Sequence, residues 1–389
     1  MTLLPFKRDQ FTWLGYVMLA YFAYLQSAMG PLVNFLRAEL HLTYSEGGFH
    51  GTGYAIGMIT AGVIGGAVTR RWGRRVTFWG GGAGMGLGAL LLLVGQHLLV
   101  TVMGAYVMGA ISGLFLATIN ATLSDQHSQH RAIALTEANI YASISSTFAP
   151  LLLGGFAAIG LRWRSAIFIA LAAWIILYIG RRETSIPTAL PSDPETKRKG
   201  SSRLPAAFWA YWYLGMCAGA LEAGIGFWGA DFLNKSVKLP LETASGLVSV
   251  MFGAMVFGRI VGSRLTRTIP THRLVVGTTL LIVLGFPIFW LSSVPALNIV
   301  GLFIVGLGMA NLFPLSLASA TGAAPFQADA ASAYISLGIG LSILVVPQLI
   351  GFIADRAGIH TAFGLIGAIA IVAALVAVAN ARLFGAQQA

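Results

Sequence analysis

Along this chain, apolar residues come in long runs separated by short polar turns. The runs fall near 11–36, 47–69, 76–96, 98–122, 132–160 and 163–181, and again near 206–233, 243–266, 273–293, 296–322, 329–354 and 360–381. Crossing a hydrocarbon layer of about 30 Å takes roughly 20 helical residues, and each run supplies about that many. In lipid a backbone satisfies its own hydrogen bonds only as a helix or as a closed barrel. Barrel strands alternate apolar and polar residues over about ten positions, and these runs do not. The pattern predicts an all-α integral membrane protein with twelve transmembrane helices. One long polar stretch, RETSIPTALPSDPETKRKGSSRLP at 182–205, divides the runs six and six. The expected organisation is an N-terminal six-helix bundle (1–181), a cytoplasmic linker (182–205) and a C-terminal six-helix bundle (206–389).

Composition agrees. Of 389 residues 57% are hydrophobic and only 10% charged, too little charge to cover a soluble surface. The 48 glycines suit close packing of membrane helices. A net charge of +11 would suggest nucleic acid, but its distribution argues otherwise. With both termini cytoplasmic, seventeen Lys and Arg fall in the inner segments and six in the outer turns, which is the positive-inside bias. The first apolar run is too long for a signal-peptide core and reads as a retained helix. The single Cys217 leaves no disulfide or CxxC metal site, and of seven histidines only His127 and His130 lie close together. No GxxxxGK[ST] occurs, and GGGAGMGLG (Gly80–Gly88) lies inside an apolar span, where helix packing explains it. No nucleophile–base set can be placed, so neither an enzyme nor a resident cofactor is expected.

The two halves repeat. A shift of 196 residues superposes Gly57 on Gly253, Gly62 on Gly258, Gly66 on Gly262, Arg71 on Arg267, Gly30 on Gly226 and Gln26 on Glu222. Two parallel six-helix repeats joined by a linker form a transporter architecture. The stretch GAVTRRWGRR (Gly66–Arg75) resembles the signature after helix 2 of the major facilitator superfamily through Gly66, Gly73, Arg74 and Arg75, and the resemblance extends over the whole chain. Arg70 stands where that family has an acid, so the acid's part in latching a cytoplasmic gate does not carry over. Two exporter patterns are weak here: AYVMG (Ala105–Gly109) keeps only the glycine, and APLLLGG (Ala149–Gly155) is shifted by one residue. The resemblance implies alternating access, a central site between the halves, and a gating role for the matched turn.

Within the spans, polar residues are few. Glu222 lies seventeen residues beyond Pro205, near the bilayer midplane. A charge there costs ~2.5–3.5 kcal/mol on insertion scales, which makes Glu222 a candidate for proton coupling. The competing reading is a neutral acid hydrogen-bonded to a neighbouring helix. Spacing of four puts Glu137, Tyr141 and Ser145 on one stripe of helix 5, with Asn139, Ser143 and Ser146 beside it. Glu137 is the second proton-coupling candidate, against a helix-start carboxylate favoured by the dipole. Asn139, Tyr141, Ser145, Gln26 and Asn311 are candidate solute contacts, with helix–helix glue as the alternative for Gln26 and Asn311. Tyr24 and Trp228 could stack on a solute or simply pack. Asp231, at the outer end of helix 7, reads as a gate.

Apart from Arg259, no Lys or Arg lies deep within a span. Embedded acids outnumber embedded bases, which favours a neutral or cationic solute with protons as coupling ion, unless Arg259 reaches the solute. The expectation is a monomeric secondary transporter of the cytoplasmic (inner) membrane, handling a small molecule, with a lean to export. Uptake of a neutral polar solute such as a sugar or nucleoside, or lipid flipping on the same fold, are the alternatives.

Overall fold

A computed structural model describes residues 6–127, 130–188, 204–323 and 328–384. Most of the expected linker, including the KRK run at 197–199, lies outside the described residues. The described chain is helical, without strands: α1 Gln10–Leu40, α2 Tyr44–Val94, α3 Leu98–Gln126, α4 Arg131–Ala158, α5 Arg164–Arg181, α6 Ala206–Lys235, α7 Leu241–Leu265, α8 Thr271–Leu291, α9 Pro295–Ala323, α10 Ala328–Ala362 and α11 Gly364–Phe384. Ten of these eleven are long and apolar enough to cross a membrane. The other is α6, which carries Glu222, Asp231 and Lys235.

An unbroken helix of the 51 residues of α2 would be about 75 Å long at 1.5 Å per residue, more than twice a hydrocarbon layer, and α2 is not unbroken. It breaks at Gly73, whose φ of 77° and ψ of 160° lie in a region essentially closed to residues with a Cβ. The two arms carry the predicted runs 47–69 and 76–96. A second break, at Gly358 in α10, has nearly the same angles (φ 79°, ψ 157°). In the C-terminal part, prolines open the helices: Pro205, Pro240 and Pro270 immediately precede α6, α7 and α8, and Pro295 begins α9. Proline's missing N–H costs nothing where the first turn has no intrahelical acceptor, and its fixed φ already suits the helix.

Contacts between residues divide the chain into two compact units, Met1–Ala28 with Gly53–Asp193, and Met29–Thr52 with Pro194–Ala389. In the first unit, α2 and α3 cross where Gly57 meets the backbone of Tyr106 and Ala110, and Gly109 meets that of Tyr54, leaving no room for a Cβ. Tyr16, Phe78 and Phe115 are fully buried there. In the second unit, Phe232 packs 4.9 Å from Phe289 and 4.5 Å from Phe363 between ring centres, joining α6, α8 and the turn between α10 and α11. That unit also holds the end of α1 and the start of α2, which anchor on α6 and α10.

Candidate functional site

Seventeen residues of α6 between Phe208 and Leu233 are buried, among them Leu221, Gly224 and Ile225. Between Trp209 and Lys235, Glu222 is the one exposed residue of this helix. A helix lying against lipid exposes a whole apolar face, whereas α6 between Trp209 and Lys235 exposes only its carboxylate. Arg259 of α7, half-buried, is the charged group that acts on Glu222. Its Nε donates to the Ala310 carbonyl of α9 (3.4 Å), and the Asn311 side chain donates back to Gly258 (2.7 Å). Asn311 also packs on Gly262, where a Cβ would collide with it. Glu222, Arg259 and Asn311 thus come from three mutually packed helices of one unit.

In the first unit, α1 between Met18 and Ala28 is buried except at Ala20, Gln26 and Ser27, which are half-buried. Tyr24 is buried, and its hydroxyl donates to the Ala166 carbonyl (3.0 Å). On α4, Asn139 is exposed and bonded to its own helix at Leu135 (2.8 Å), Tyr141 is exposed and Ser145 half-buried. Glu137 is the hub of this end. Arg8 grips it with Nε at 2.8 Å and Nη2 at 2.5 Å, and the Tyr16 hydroxyl donates to it at 2.9 Å. Tyr16 stacks on Tyr141 with ring centres 5.6 Å apart, and Trp13 stands edge-on to both.

The residues before α1 lie over this end. Asp9 accepts from the Thr12 amide (2.7 Å), the Thr12 hydroxyl (2.6 Å) and Gln126 (2.6 Å). The Thr12 hydroxyl is also 2.6 Å from His127 Nε2. Its one proton goes to Asp9, so His127 donates and carries a proton on Nε2. Burial, opposed by Asp9, holds the His127 imidazolium below its ordinary value.

In the turn after Gly73, Arg74 pairs with Asp125 in the last turn of α3 (2.6 Å) and donates to the Thr188 carbonyl (3.2 Å). Arg75 donates to the carbonyls of Thr184 (3.3 Å) and Arg182, beyond the end of α5, where the helix dipole favours a cation. Arg70 is exposed, and its Nη1 lies 3.4 Å from where a side chain at Gly66 would begin.

At the opposite end of α1, Arg37 reaches Asp231 with Nη2 at 2.6 Å and Nε at 3.2 Å, and its guanidinium lies 3.9 Å from the centre of the Tyr44 ring. Both partners are largely buried, 12% and 3% exposed. Asp355 of α10 accepts from the amides of Tyr44 (2.7 Å) and Ser45 (2.8 Å), capping the start of α2. Trp228 is fully buried here, its ring against Gly47 and its Nε1 donating to the Pro347 carbonyl (2.8 Å). In this arrangement neither Tyr24 nor Trp228 presents a polar atom to a solute.

Sequence reading did not single out Arg8, Trp13, Tyr16, Arg37, Tyr44 or Asp355 as site residues. The i, i+3 aromatic pair Trp13/Tyr16 was the available signal for one of these clusters. By position alone, Arg8 and Arg37 are two of the charges that orient the chain in the membrane.

A family model described as Major Facilitator Superfamily matches residues 12–328. An uncharacterized MFS-type transporter from Yersinia pestis is 24% identical over 368 residues, covering 92% of each chain. Among solved structures, the nucleoside transporter NupG superposes with a TM-score of 0.71 at 15% identity, over 96% of this chain and 99% of that one. A bacterial homolog of the human lysosomal transporter Spinster, inward-facing and occupied, gives 0.76 at 13% identity over 97% of both chains. A peptide transporter POT in complex with sulfate gives 0.76 at 16% identity, over 96% and 95%. At these identities the structural likeness speaks for the fold alone.

Proposed function

Because the chain belongs to the Major Facilitator Superfamily, whose members are transporters rather than enzymes, we propose that it is a proton-coupled secondary transporter of a small neutral or cationic organic solute. Glu222 is its proton carrier, and the carrying observation is that this carboxylate is the one exposed residue of α6 between Trp209 and Lys235. A carboxylate in such a place binds a proton when it must enter an apolar setting and releases it when water reaches it. Arg259, on the neighbouring α7, is the charged group that acts on Glu222.

The solute moves by alternating access. The buried Arg37–Asp231 pair and the Asp355 cap fasten the end of α1 and the start of α2 to α6 and α10, and in this reading the pair separates during the cycle. Arg74 and Arg75 fasten the turn after Gly73 to α3 and to the residues after α5. The Pro150–Gly155 remnant of the exporter pattern in α4 supports exchange of solute against protons, hence export across the cytoplasmic membrane with both termini inside. Of the similar structures, one is named for nucleosides, one for peptides and one as a homolog of a lysosomal transporter, so the solute must be found by trial.

The test is proton movement in proteoliposomes carrying an internal pH dye, challenged with a panel of nucleosides, peptides and organic cations. Wild type moves protons in response to at least one of them. Glu222→Gln abolishes that movement while counterflow of the same labelled solute persists. Unchanged solute-driven proton movement in Glu222→Gln removes this residue from the mechanism.

A further inference from the structure

The cluster around Glu137 has more recognition chemistry than the proton reading uses. Its carboxylate is held by two rigid helices. Tyr16, fully buried on α1, donates to it, and Tyr141, one turn further along α4, stacks on Tyr16. Trp13 completes the aromatic flank, and unlike Tyr16 both Trp13 (45% exposed) and Tyr141 (39%) are open. The cation on this carboxylate comes from neither helix. Arg8 precedes α1 and is itself 41% exposed, and it meets Glu137 as a planar fork with one nitrogen on each oxygen. Its guanidinium also lies 5.2 Å from the ring of Phe6, on the same segment.

We propose that Glu137, Tyr16, Tyr141 and Trp13 form a recognition site for a guanidinium-bearing organic cation, and that Arg8 is a tethered stand-in which the solute displaces. This rests on the reading of the chain as a solute transporter and names the solute's class and its built-in competitor. Three features select the class. An ionised carboxylate offers only acceptors, and a fork of two parallel N–H groups satisfies both oxygens at once, which an ammonium does not. Electron-rich ring faces attract a delocalised cation. The occupant seen is itself a guanidinium.

The pair's exposure matters for displacement. Half-exposed ion pairs are worth a factor of about five at most, so Arg8 tunes entry rather than locking it. As a tethered group it is present at high effective concentration, and it releases when a competitor with better ring contacts arrives. A purely structural pair, fastening the segment before α1, makes the opposite prediction: removing Arg8 would create no binding advantage for an added cation.

Calorimetric titration of the purified full chain with phenylguanidinium decides between them. Arg8→Ala, and Arg8→Gln as a second variant should the first fold poorly, bind the probe several-fold more tightly than wild type. Glu137→Gln loses binding, and Tyr141→Ala weakens it. Phenylurea, the neutral isostere, does not bind. Equal or weaker binding in both Arg8 variants, full binding in Glu137→Gln, or equal binding of phenylurea would each overturn the proposal. The titration uses no pH gradient, so its failure leaves the Glu222 reading to stand or fall on proton movement alone.

Discussion

Arg37 and Asp231, 194 positions apart in the chain, meet through two hydrogen bonds of 2.6 and 3.2 Å. Almost no surface of either side chain remains open. Removing one partner of such a pair leaves an uncompensated buried charge and costs about 3–5 kcal/mol, whereas replacing both with apolar residues of similar volume is often neutral. We expect Arg37→Ala and Asp231→Asn each to lower unfolding stability in detergent strongly, and Arg37→Met/Asp231→Leu to recover most of the loss. The same double variant should transport poorly, because a pair that cannot separate into hydrated ions no longer favours opening.

Gly73 and Gly62 are both on α2 but face different demands. Alanine at Gly73 forces φ 77°, ψ 160° on a residue with a Cβ, at a cost of about 1–3 kcal/mol. At Gly62, which is helical with nothing within 4 Å of an added Cβ, alanine is expected to be neutral or to stabilise by up to about 1 kcal/mol. Parallel thermal unfolding of Gly73→Ala and Gly62→Ala reads the difference directly. A loss at Gly62 as large as that at Gly73 would contradict it.

Docking of the segment before α1 should depend on pH through His127. Burial, against the attraction of Asp9, lowers the His127 value from its ordinary 6.5, so the docked state prefers the neutral ring. Its contribution is complete above that ordinary value and is lost as pH falls through it towards the lowered one. Asp9 acts elsewhere on the scale. Burial alone would raise its carboxyl, but hydrogen bonds from Thr12 and Gln126 carry it below the ordinary 3.8, so its contribution is lost only in stronger acid. Between about pH 7.5 and 5.5, a spin label on Lys7→Cys in a Cys217→Ser background should therefore become more mobile. His127→Asn should remove that dependence.

The helices were legible in the sequence because run length and apolarity settle them in lipid without reference to tertiary contacts. The break at Gly73 was legible only as a turn between two apolar runs; that a single residue makes it depends on backbone angles which composition does not encode. Site partners were harder to read. Asp231 was visible as a polar residue near a helix end, yet its partner Arg37 lies on another helix, and no spacing rule links them. The same holds for Arg8 with Glu137, 129 positions apart, and for Asp355 with the start of α2. Arg259 is the converse case. Its depth in the span is evident from the sequence, but only the packing of α6, α7 and α9 brings its charge to bear on Glu222.

The central claim is that water reaches the carboxylate of α6 in the folded protein. The direct measurement is reaction of Glu222→Cys, in a Cys217→Ser background reconstituted into vesicles, with a charged, membrane-impermeant maleimide supplied on both sides. The account predicts labelling of the folded protein at a rate within about tenfold of Lys235→Cys at the exposed end of the same helix, slowed further by phenylguanidinium only if the cation path runs past this point. No reaction at position 222 until the vesicles are dissolved in denaturant would contradict it.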